Sequence, residues 1–256
     1  MNLIAIYGLP ERGNEPSSVV ANIFGITMYE AVSRIKFVEN VPVIMAGYAD
    51  PANASAKLDQ LLSSGFGALI MHDREIETEE NRFVVRRAFL DEDRLRLESR
   101  LGKRTVNYES IRVLLRGTSI DRSSETIKER KRKFSAGRAI MTAGLAGTKT
   151  VEKKHEEIKE VREGFLNIYD EDSSVITFRE NSMDYFSMSG DKRSSRMDNF
   201  RHFVAGLRNR CKLAVYDESL LNRAGQVQLL GPLFEPEDDI DIAISLIVNV
   251  IRKRGA

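Results

Sequence analysis

The fold is decided first by residues 21–71, which read ANIFGITMYEAVSRIKFVENVPVIMAGYADPANASAKLDQLLSSGFGALIM. Thr27 and Glu30 form a capping-box pattern, in which each side chain accepts a hydrogen bond from the other residue's backbone N–H and so starts a helix. Asp50 followed by Pro51 is typical of another helix start, because proline has no N–H to lose at the first helical position. The stretch therefore predicts two short helices, a strand, a capped helix and a strand.

The residues before this stretch complete the unit. Residues 3–7 are apolar and end at a turn sequence, Gly8-Leu9-Pro10, which predicts a strand. A polar loop follows, and then a helix capped by Ser17 or Ser18. The predicted order over residues 1–78 is strand–helix–helix–strand–helix–strand, a small α/β domain that is long enough to bury a core of its own.

This first region resembles a known family over residues 1–72, the C-terminal domain of the bacterial ribosomal stalk protein of the large subunit. The closest segment is GITMYEAV, residues 25–32, which is similar to that family's Gly-Leu-Gly-Leu-Lys-Glu-Ala-Lys turn. In the family this helical surface recruits translation factors, and its lysines matter. Tyr29 and Val32 occupy the lysine positions here, so the resemblance implies the fold and not the function. Both residues are candidate contacts for a protein partner.

The next region, residues 82–215, is predicted to be rich in β-strands and follows an acidic linker at residues 73–81. Apolar residues alternate with charged ones, which predicts short antiparallel strands joined by tight turns, the last of them at residues 183–186. An amphipathic helix at residues 198–210 follows. Its apolar face consists of Phe200, Phe203, Val204 and Leu207. About seven strands and one helix in this order resemble the pleckstrin-homology superfold, in which the helix plugs one end of a barrel.

The C-terminal region, residues 216–256, is predicted to be a helical extension. Residues 240–251 are apolar around most of a predicted helix. The acidic residues of segment 237–241 lie at its start and the basic segment 252–254 at its end, an order that matches the helix dipole. The helix is too short to cross a bilayer, so either this chain or a second subunit must cover it. The chain as a whole is predicted to be a two-domain α+β protein with a helical C-terminal extension.

An insertion at residues 122–162 interrupts the β-rich region and carries a basic run, KERKRK, at residues 128–133. Three interpretations stay open: a solvated hairpin, an arm for self-association through an apolar tip, and a contact for anionic phosphates on lipid head groups or nucleic acid. The predicted tip consists of Ile140, Met141 and Leu145, and the predicted anion contact of Lys131, Arg132, Lys133 and Arg138. The scarcity of aromatic residues for base stacking disfavours nucleic acid.

No catalytic or metal-binding pattern is found in the sequence. His72, His155 and His202 are far apart, and a single cysteine, Cys211, permits neither an internal disulfide nor a thiolate zinc site. Residues 144–150, GLAGTKT, lack the Gly-Lys-Ser/Thr order of a phosphate-binding loop. We therefore predict no catalytic residue, no metal ligand and no cofactor.

Composition narrows the class of protein. The chain has 30% charged residues and a net charge of +1, so no overall field directs it to nucleic acid or membrane. No transmembrane run or signal sequence is found, and a cytoplasmic location is expected. These observations favour a non-enzymatic interaction or adaptor protein with a protein partner, either monomeric or homo-oligomeric. The alternatives are anionic-lipid or membrane-surface binding through residues 128–149, and a hydrolase whose site is assembled from distant residues.

Overall fold

The computed structural model describes the backbone of residues 1–11, 15–39, 41–134, 148–171, 175–185 and 193–255, and their side chains except at 121–134 and 148–160. The strands are β1 (Asn2–Gly8), β2 (Val43–Tyr48), β3 (Gly67–His72), β4 (Arg82–Leu90), β5 (Arg94–Ser99), β6 (Gly102–Asn107), β7 (Ile111–Phe134), β8 (Thr148–Asp170), β9 (Val175–Arg179) and β10 (Val215–Leu220). The helices are α1 (Pro16–Phe24), α2 (Met28–Ile35), α3 (Pro51–Ser63), α4 (Arg196–Arg210), α5 (Arg223–Leu230) and α6 (Ile240–Gly255). The presence of both kinds of element confirms the predicted α+β class.

The first three strands form an antiparallel sheet in the order β2-β1-β3. Alternate residues of β1 face two different cores. Ile4 and Ile6 are buried with α1, α2 and α3, whereas Leu3 and Ala5 are buried in the core that contains α6. Burial on both faces explains why the segment is an uninterrupted apolar run. The element order agrees with the order predicted for residues 1–78.

The helix starts of this region follow from local hydrogen bonds. Thr27 Oγ1 accepts from the Glu30 N–H at 3.2 Å, and Glu30 Oε2 accepts from the Thr27 N–H at 3.0 Å, which confirms the predicted capping box. Asp50 accepts from two backbone N–H groups in the first turn of α3, as predicted. The predicted serine cap of α1 is wrong, because α1 begins at Pro16 and Ser17 already lies within the helix.

The other strands form a seven-stranded sheet in the order β10-β7-β8-β9-β4-β5-β6. The pairings β4–β5, β5–β6 and β8–β9 are antiparallel, but β4 pairs with β9, and β10 with β7, in parallel. The predicted antiparallel meander is therefore wrong where β9 pairs with β4. Most of β10 lies in the C-terminal extension that is predicted to be helical, because pairing with a distant strand overrides local preference. The last predicted strand, at residues 183–186, is wrong over its described part, because residues 183–185 form no strand; Phe186 lies outside the described residues.

Helices cover both faces of this sheet within the unit formed by residues 1–119 and 163–256. On one face α4 buries the four predicted apolar residues, and the ring of Phe203 lies 5.0 Å from that of Phe178. On the other face α6 is buried between the seven-stranded and the three-stranded sheet. Other parts of the same chain therefore bury the apolar helix α6, which is one of the two predicted arrangements. No helix in the described part of the chain has the length and apolar character needed to cross a membrane.

A second compact unit consists of residues 120–162. Its described part is the later half of β7 and the earlier half of β8, which are neighbouring strands. The predicted domain boundaries, at 1–78, 82–215 and 216–256, stay predictions about which segments can fold alone.

Candidate functional site

An irregularity in β4 places an arginine at the protein surface. Val85 is opposite Ser99 of β5 and Arg87 is opposite Glu98, so Arg86 is the extra residue of a β-bulge. Val85 is buried, whereas Arg86 and Arg87 are both exposed. The bulge therefore turns two consecutive cationic side chains outward, where strict alternation would direct one of them into the core.

The segment after β9 is fixed against this bulge. The backbone N–H of Asp184 donates a hydrogen bond of 2.8 Å to the carbonyl oxygen of Arg86. The hydroxyl of Tyr185 donates to the carbonyl oxygen of Glu180 at 3.0 Å, and burial raises the pKa of this tyrosine. Residues 180–185 thus form an anchored wall beside Arg86.

The start of α4 supplies a second wall. Asn199 accepts from the Arg193 N–H at 3.0 Å and donates to the Arg193 carbonyl oxygen at 3.1 Å. Arg196 Nη1 donates to the carbonyl oxygen of Asn181 at 3.0 Å. These bonds fix the backbone that carries the two arginines and connect it to the segment after β9.

These walls enclose a cleft of about 560 Å³, and a groove of about 510 Å³ adjoins it. Arg86 and Asp184 line both, and we call the two lobes together the Arg86 cleft. Six of its charged residues are cationic and two are acidic, an excess of four positive charges. The cations are Arg86, Arg87, Arg100, Lys103, Arg193 and Arg196, and the acids are Glu98 and Asp184.

Part of this charge is compensated within the cleft. Glu98 lies 3.1 Å from Arg87 Nε and 2.7 Å from Lys103 Nζ. The hydrogen bond from Lys103, together with the nearby cations, lowers the pKa of the Glu98 carboxyl. Asp184 is the other carboxylate of the cleft. Apart from Arg87 and Lys103, the cleft has four cationic side chains, on Arg86, Arg100, Arg193 and Arg196, so an excess of positive charge remains when Asp184 is counted.

A second polar cluster lies where the linker after β3, strands β4 and β8, and α6 meet. The guanidinium of Arg82, only 3% exposed, has Nη2 2.8 Å from Asp241 Oδ1 and 3.9 Å from Glu77 Oε2. The hydroxyl of Tyr169 donates to Glu77 Oε2 at 2.7 Å, and Ser245 Oγ accepts from the Glu77 N–H at 2.9 Å. We call these five residues the Arg82 cluster.

Burial controls the charges of the Arg82 cluster. It raises the pKa of Glu77, although the Tyr169 hydroxyl and the Arg82 guanidinium both favour the ionised form. It also raises the pKa of Tyr169, and the neighbouring Glu77 charge adds to that effect. The cluster joins the linker, β4, β8 and α6, so it fixes segments that are far apart in the chain.

A third feature is an apolar surface on α2. The side chains of Met28, Tyr29 and Val32 are 45%, 83% and 46% exposed. Residues three and four positions apart lie on the same side of a helix, so Val32 is a neighbour of both Met28 and Tyr29 and joins them into one patch. Arg34 of the same helix donates a 2.8 Å hydrogen bond to the carbonyl oxygen of Met45 in β2 and so fixes α2 to the sheet. We call these three residues the α2 surface.

The structure thus brings together the two residues predicted on α2, Tyr29 and Val32. The residues predicted in the insertion lie partly or wholly outside the described residues. Lys131, Arg132 and Lys133 belong to β7, but their side chains are outside the described part, and Arg138, Ile140, Met141 and Leu145 lie outside it altogether. The predicted apolar tip and anion contact stay predictions.

The reactive residue types are dispersed in the described part of the chain. His72 Nδ1 lies 2.7 Å from Asn2 Oδ1, and His202 is exposed on α4. Cys211 is buried, and burial raises the pKa of its thiol to about 12. The described residues contain no group of three or more His, Cys, Asp or Glu side chains that could hold a metal ion.

The acidic segment 237–241 differs in part from its predicted role. α6 begins three residues after Glu237, so only Asp241 of this segment lies in the first helical turn. Asp241 belongs to the Arg82 cluster, and Glu237 Oε1 lies 2.6 Å from Arg223 Nη2. These two carboxylates therefore take part in ion pairs with arginines rather than acting only on the helix dipole.

Comparison of the chain with protein-family models, with curated proteins and with solved structures found no match. The Arg86 cleft is not predicted from the sequence. The one local signal is the Arg86-Arg87 pair, which breaks the alternation of RFVVRRAFL at residues 82–90. The other wall comes from Arg193 and Arg196, and no local pattern connects residues so far apart in sequence.

Proposed function

We propose that this protein is a non-enzymatic interaction protein and that a protein partner binds its α2 surface. The observation that carries the proposal is the 83% exposure of Tyr29 beside Met28 and Val32. Single exposed apolar residues are common in proteins, but contiguous ones, and tyrosine in particular, are typical of binding sites.

The α2 surface is held in place before any partner arrives. The capping box of Thr27 and Glu30 fixes its first turn, and Arg34 fixes its last turn to β2. A surface that is already ordered loses less conformational entropy on binding, so a small apolar patch can contribute useful affinity.

The size of the patch favours a transient contact with a different protein over a stable homodimer. Eight helical residues extend about 12 Å. A stable interface buries about 800 Å² on each partner, which three side chains do not supply. We therefore expect a partner whose apolar pocket accepts the Tyr29 ring.

The test uses two exposed apolar positions of the same chain. A photo-crosslinking residue is placed at Tyr29 or, as the control, at Leu101, which is 81% exposed on the β5–β6 turn. Proteins captured only from position 29 are purified, and their affinity for the chain is measured. We expect Tyr29→Ala to weaken binding by about tenfold or more and Leu101→Ala by less than about twofold.

Two results would overturn the proposal. One is the same set of captured proteins from both positions. The other is a purified candidate that binds Tyr29→Ala and the unchanged protein equally well. Because both tested side chains are exposed, neither substitution is expected to alter folding, and thermal unfolding of each variant checks this.

Binding of anionic lipid through residues 128–149 is the second proposal, favoured by a basic run beside small apolar residues. Co-sedimentation with phosphatidylserine vesicles is expected to fall when Lys131, Arg132 and Lys133 are replaced by glutamate. An unchanged bound fraction would dismiss it. The resemblance of residues 1–72 to the stalk domain, that of the β-rich region to the pleckstrin-homology superfold, and the cytoplasmic location also remain proposals.

A further inference from the structure

We propose that the Arg86 cleft binds a small ligand with two linked phosphate groups, such as inorganic pyrophosphate or a nucleoside diphosphate. The inference does not depend on the α2 surface, because it concerns other elements and another ligand chemistry.

The first argument is the position of Arg86. A β-bulge redirects side chains, and bulges are over-represented next to functional sites. The bulge at Arg86 is held from outside the strand, because the Asp184 N–H donates to the Arg86 carbonyl oxygen at 2.8 Å. The guanidinium is therefore carried by a fixed backbone, and a guanidinium presents its donors in the planar geometry that phosphate oxygens accept.

The second argument is the charge. The cleft has four more cationic than acidic side chains, although the protein as a whole has a net charge of +1. Asp184 lines both lobes and opposes an anion, and Glu98 is already paired with Arg87 and Lys103. The excess remains positive after both carboxylates are counted. A concave cationic site raises the local concentration of anions.

The third argument concerns the number of phosphate groups. Arg86 lines both lobes of the cleft, with Arg193 and Arg196 in one lobe and Arg100 in the other. One phosphate group at Arg86 can engage the cations of a single lobe, whereas two linked groups can engage both. Each lobe, at about 560 and 510 Å³, has the size of a small-molecule site, so we favour a small ligand over a polymer.

The proposal is tested by calorimetric titration of the full chain at low salt with sodium pyrophosphate and, in parallel, sodium orthophosphate. We expect pyrophosphate to bind about tenfold more tightly than orthophosphate, and added salt to weaken the binding. Arg86→Ala is expected to lower the affinity for pyrophosphate about tenfold, and Arg86→Lys to recover part of the loss. Arg193→Ala, at the other wall, is also expected to lower the affinity for pyrophosphate, and this substitution does not alter the bulge.

The matched control is Arg94→Ala. Arg94 is 55% exposed on β5 and does not line the cleft. We therefore expect the affinity of Arg94→Ala for pyrophosphate to stay within about twofold of that of the unchanged protein. The proposal fails if the unchanged protein does not bind pyrophosphate, or if it binds orthophosphate equally well. It also fails if Arg94→Ala reduces binding as much as Arg86→Ala does. Thermal unfolding checks that each variant folds. If Arg86→Ala does not fold, Arg193→Ala takes its place in the comparison with Arg94→Ala.

Discussion

Two of the three arginines in β4, Arg82 and Arg86, are used in opposite ways. The Arg82 guanidinium is 3% exposed and lies at ion-pair distance from Asp241, with Glu77 close by. The Arg86 side chain is exposed at a bulge and lines a cleft with more cationic than acidic side chains. One arginine connects elements inside the protein, whereas the other leaves its donors available to a ligand.

Local environment, rather than residue type, decides what each arginine contributes. A buried guanidinium has lost its water, so its partners must replace that hydration, and the partners in turn depend on it. An exposed guanidinium keeps its water and contributes little to folding, but it can exchange that water for phosphate oxygens. The Arg82 cluster should therefore affect stability, and the Arg86 cleft should affect binding.

The largest expected effect comes from the same substitution at both arginines. Arg82→Met removes the guanidinium that lies 2.8 Å from the partly buried Asp241 carboxylate and 3.9 Å from that of Glu77, and we expect the free energy of unfolding to fall by about 3–5 kcal/mol. Arg86→Met removes an exposed side chain and should change it by less than about 0.5 kcal/mol. Urea unfolding of both variants at pH 7 measures the difference.

A second substitution shows whether the loss arises from unpaired charge. Adding Asp241→Asn to Arg82→Met removes one of the two stranded carboxylates, so the double variant should be more stable than Arg82→Met alone. Equal losses for Arg82→Met and Arg86→Met would contradict the distinction between the two arginines.

The next effect tests how tightly the interior around α6 is packed. A Cβ atom added at Gly117 of β7 would lie 2.3 Å from Phe165 Cζ and 2.9 Å from Leu220 Cβ. We expect Gly117→Ala to lower the free energy of unfolding by about 1–3 kcal/mol, because Phe165 belongs to the buried core and has little room to move. The same urea experiment measures it.

The control for this variant is another strand glycine. At Gly8 an added Cβ would meet its nearest neighbours in Gly67 at an ordinary 3.6 Å. Gly8→Ala should therefore change stability much less. If the two alanines have equal effects, the interior adjusts more easily than its burial indicates.

The predictions from sequence are correct where a few adjacent residues decide the structure. Thr27 with Glu30 and Asp50 with Pro51 specify their helix starts through local hydrogen bonds, and both predictions are confirmed. The need to cover the final helix also followed from composition alone, because a helix that is apolar on nearly all sides cannot face water.

The failures involve contacts between distant parts of the chain. The parallel pairing of β10 with β7 and the ion pair between Arg82 and Asp241 each connect segments about a hundred residues or more apart. The bulge at Arg86 depends on the register of β5, which no pattern within β4 specifies. Both polar sites are assembled by tertiary packing, so local periodicity could not predict them.

A smaller effect is expected from one hydroxyl of the Arg82 cluster. Ser245 Oγ accepts from the Glu77 N–H at 2.9 Å and donates to the Asp241 carbonyl oxygen at 2.8 Å. Ser245→Ala removes the acceptor of a partly buried N–H and should cost about 1 kcal/mol in urea unfolding. Ser63→Ala is the control, since that hydroxyl also bonds a helical carbonyl but is exposed. If the two variants are equally stable, the Ser245 hydroxyl does not support the cluster.

The smallest effect is a pH dependence whose sign should differ between the two regions. Burial raises the pKa of Glu77 above 4.5, so the folded protein holds this proton more tightly than the unfolded chain does. The resulting stabilisation is complete below pH 4.5 and is lost as the pH rises through the folded-state pKa. The unchanged protein should therefore lose stability relative to Glu77→Gln as the pH increases across this window, while the glutamine oxygen can still accept from Tyr169.

Glu98, in the Arg86 cleft, supplies the opposite case. Lys103 lowers its pKa below 4.5, so its stabilisation is present above pH 4.5 and is lost as the pH falls through the folded-state pKa. Relative to Glu98→Gln, the unchanged protein should gain stability as the pH rises. Urea unfolding of the three proteins between about pH 3 and pH 7 measures both differences. Slopes of the same sign would contradict this contrast, because desolvation raises the pKa of Glu77 whereas the Lys103 hydrogen bond lowers the pKa of Glu98.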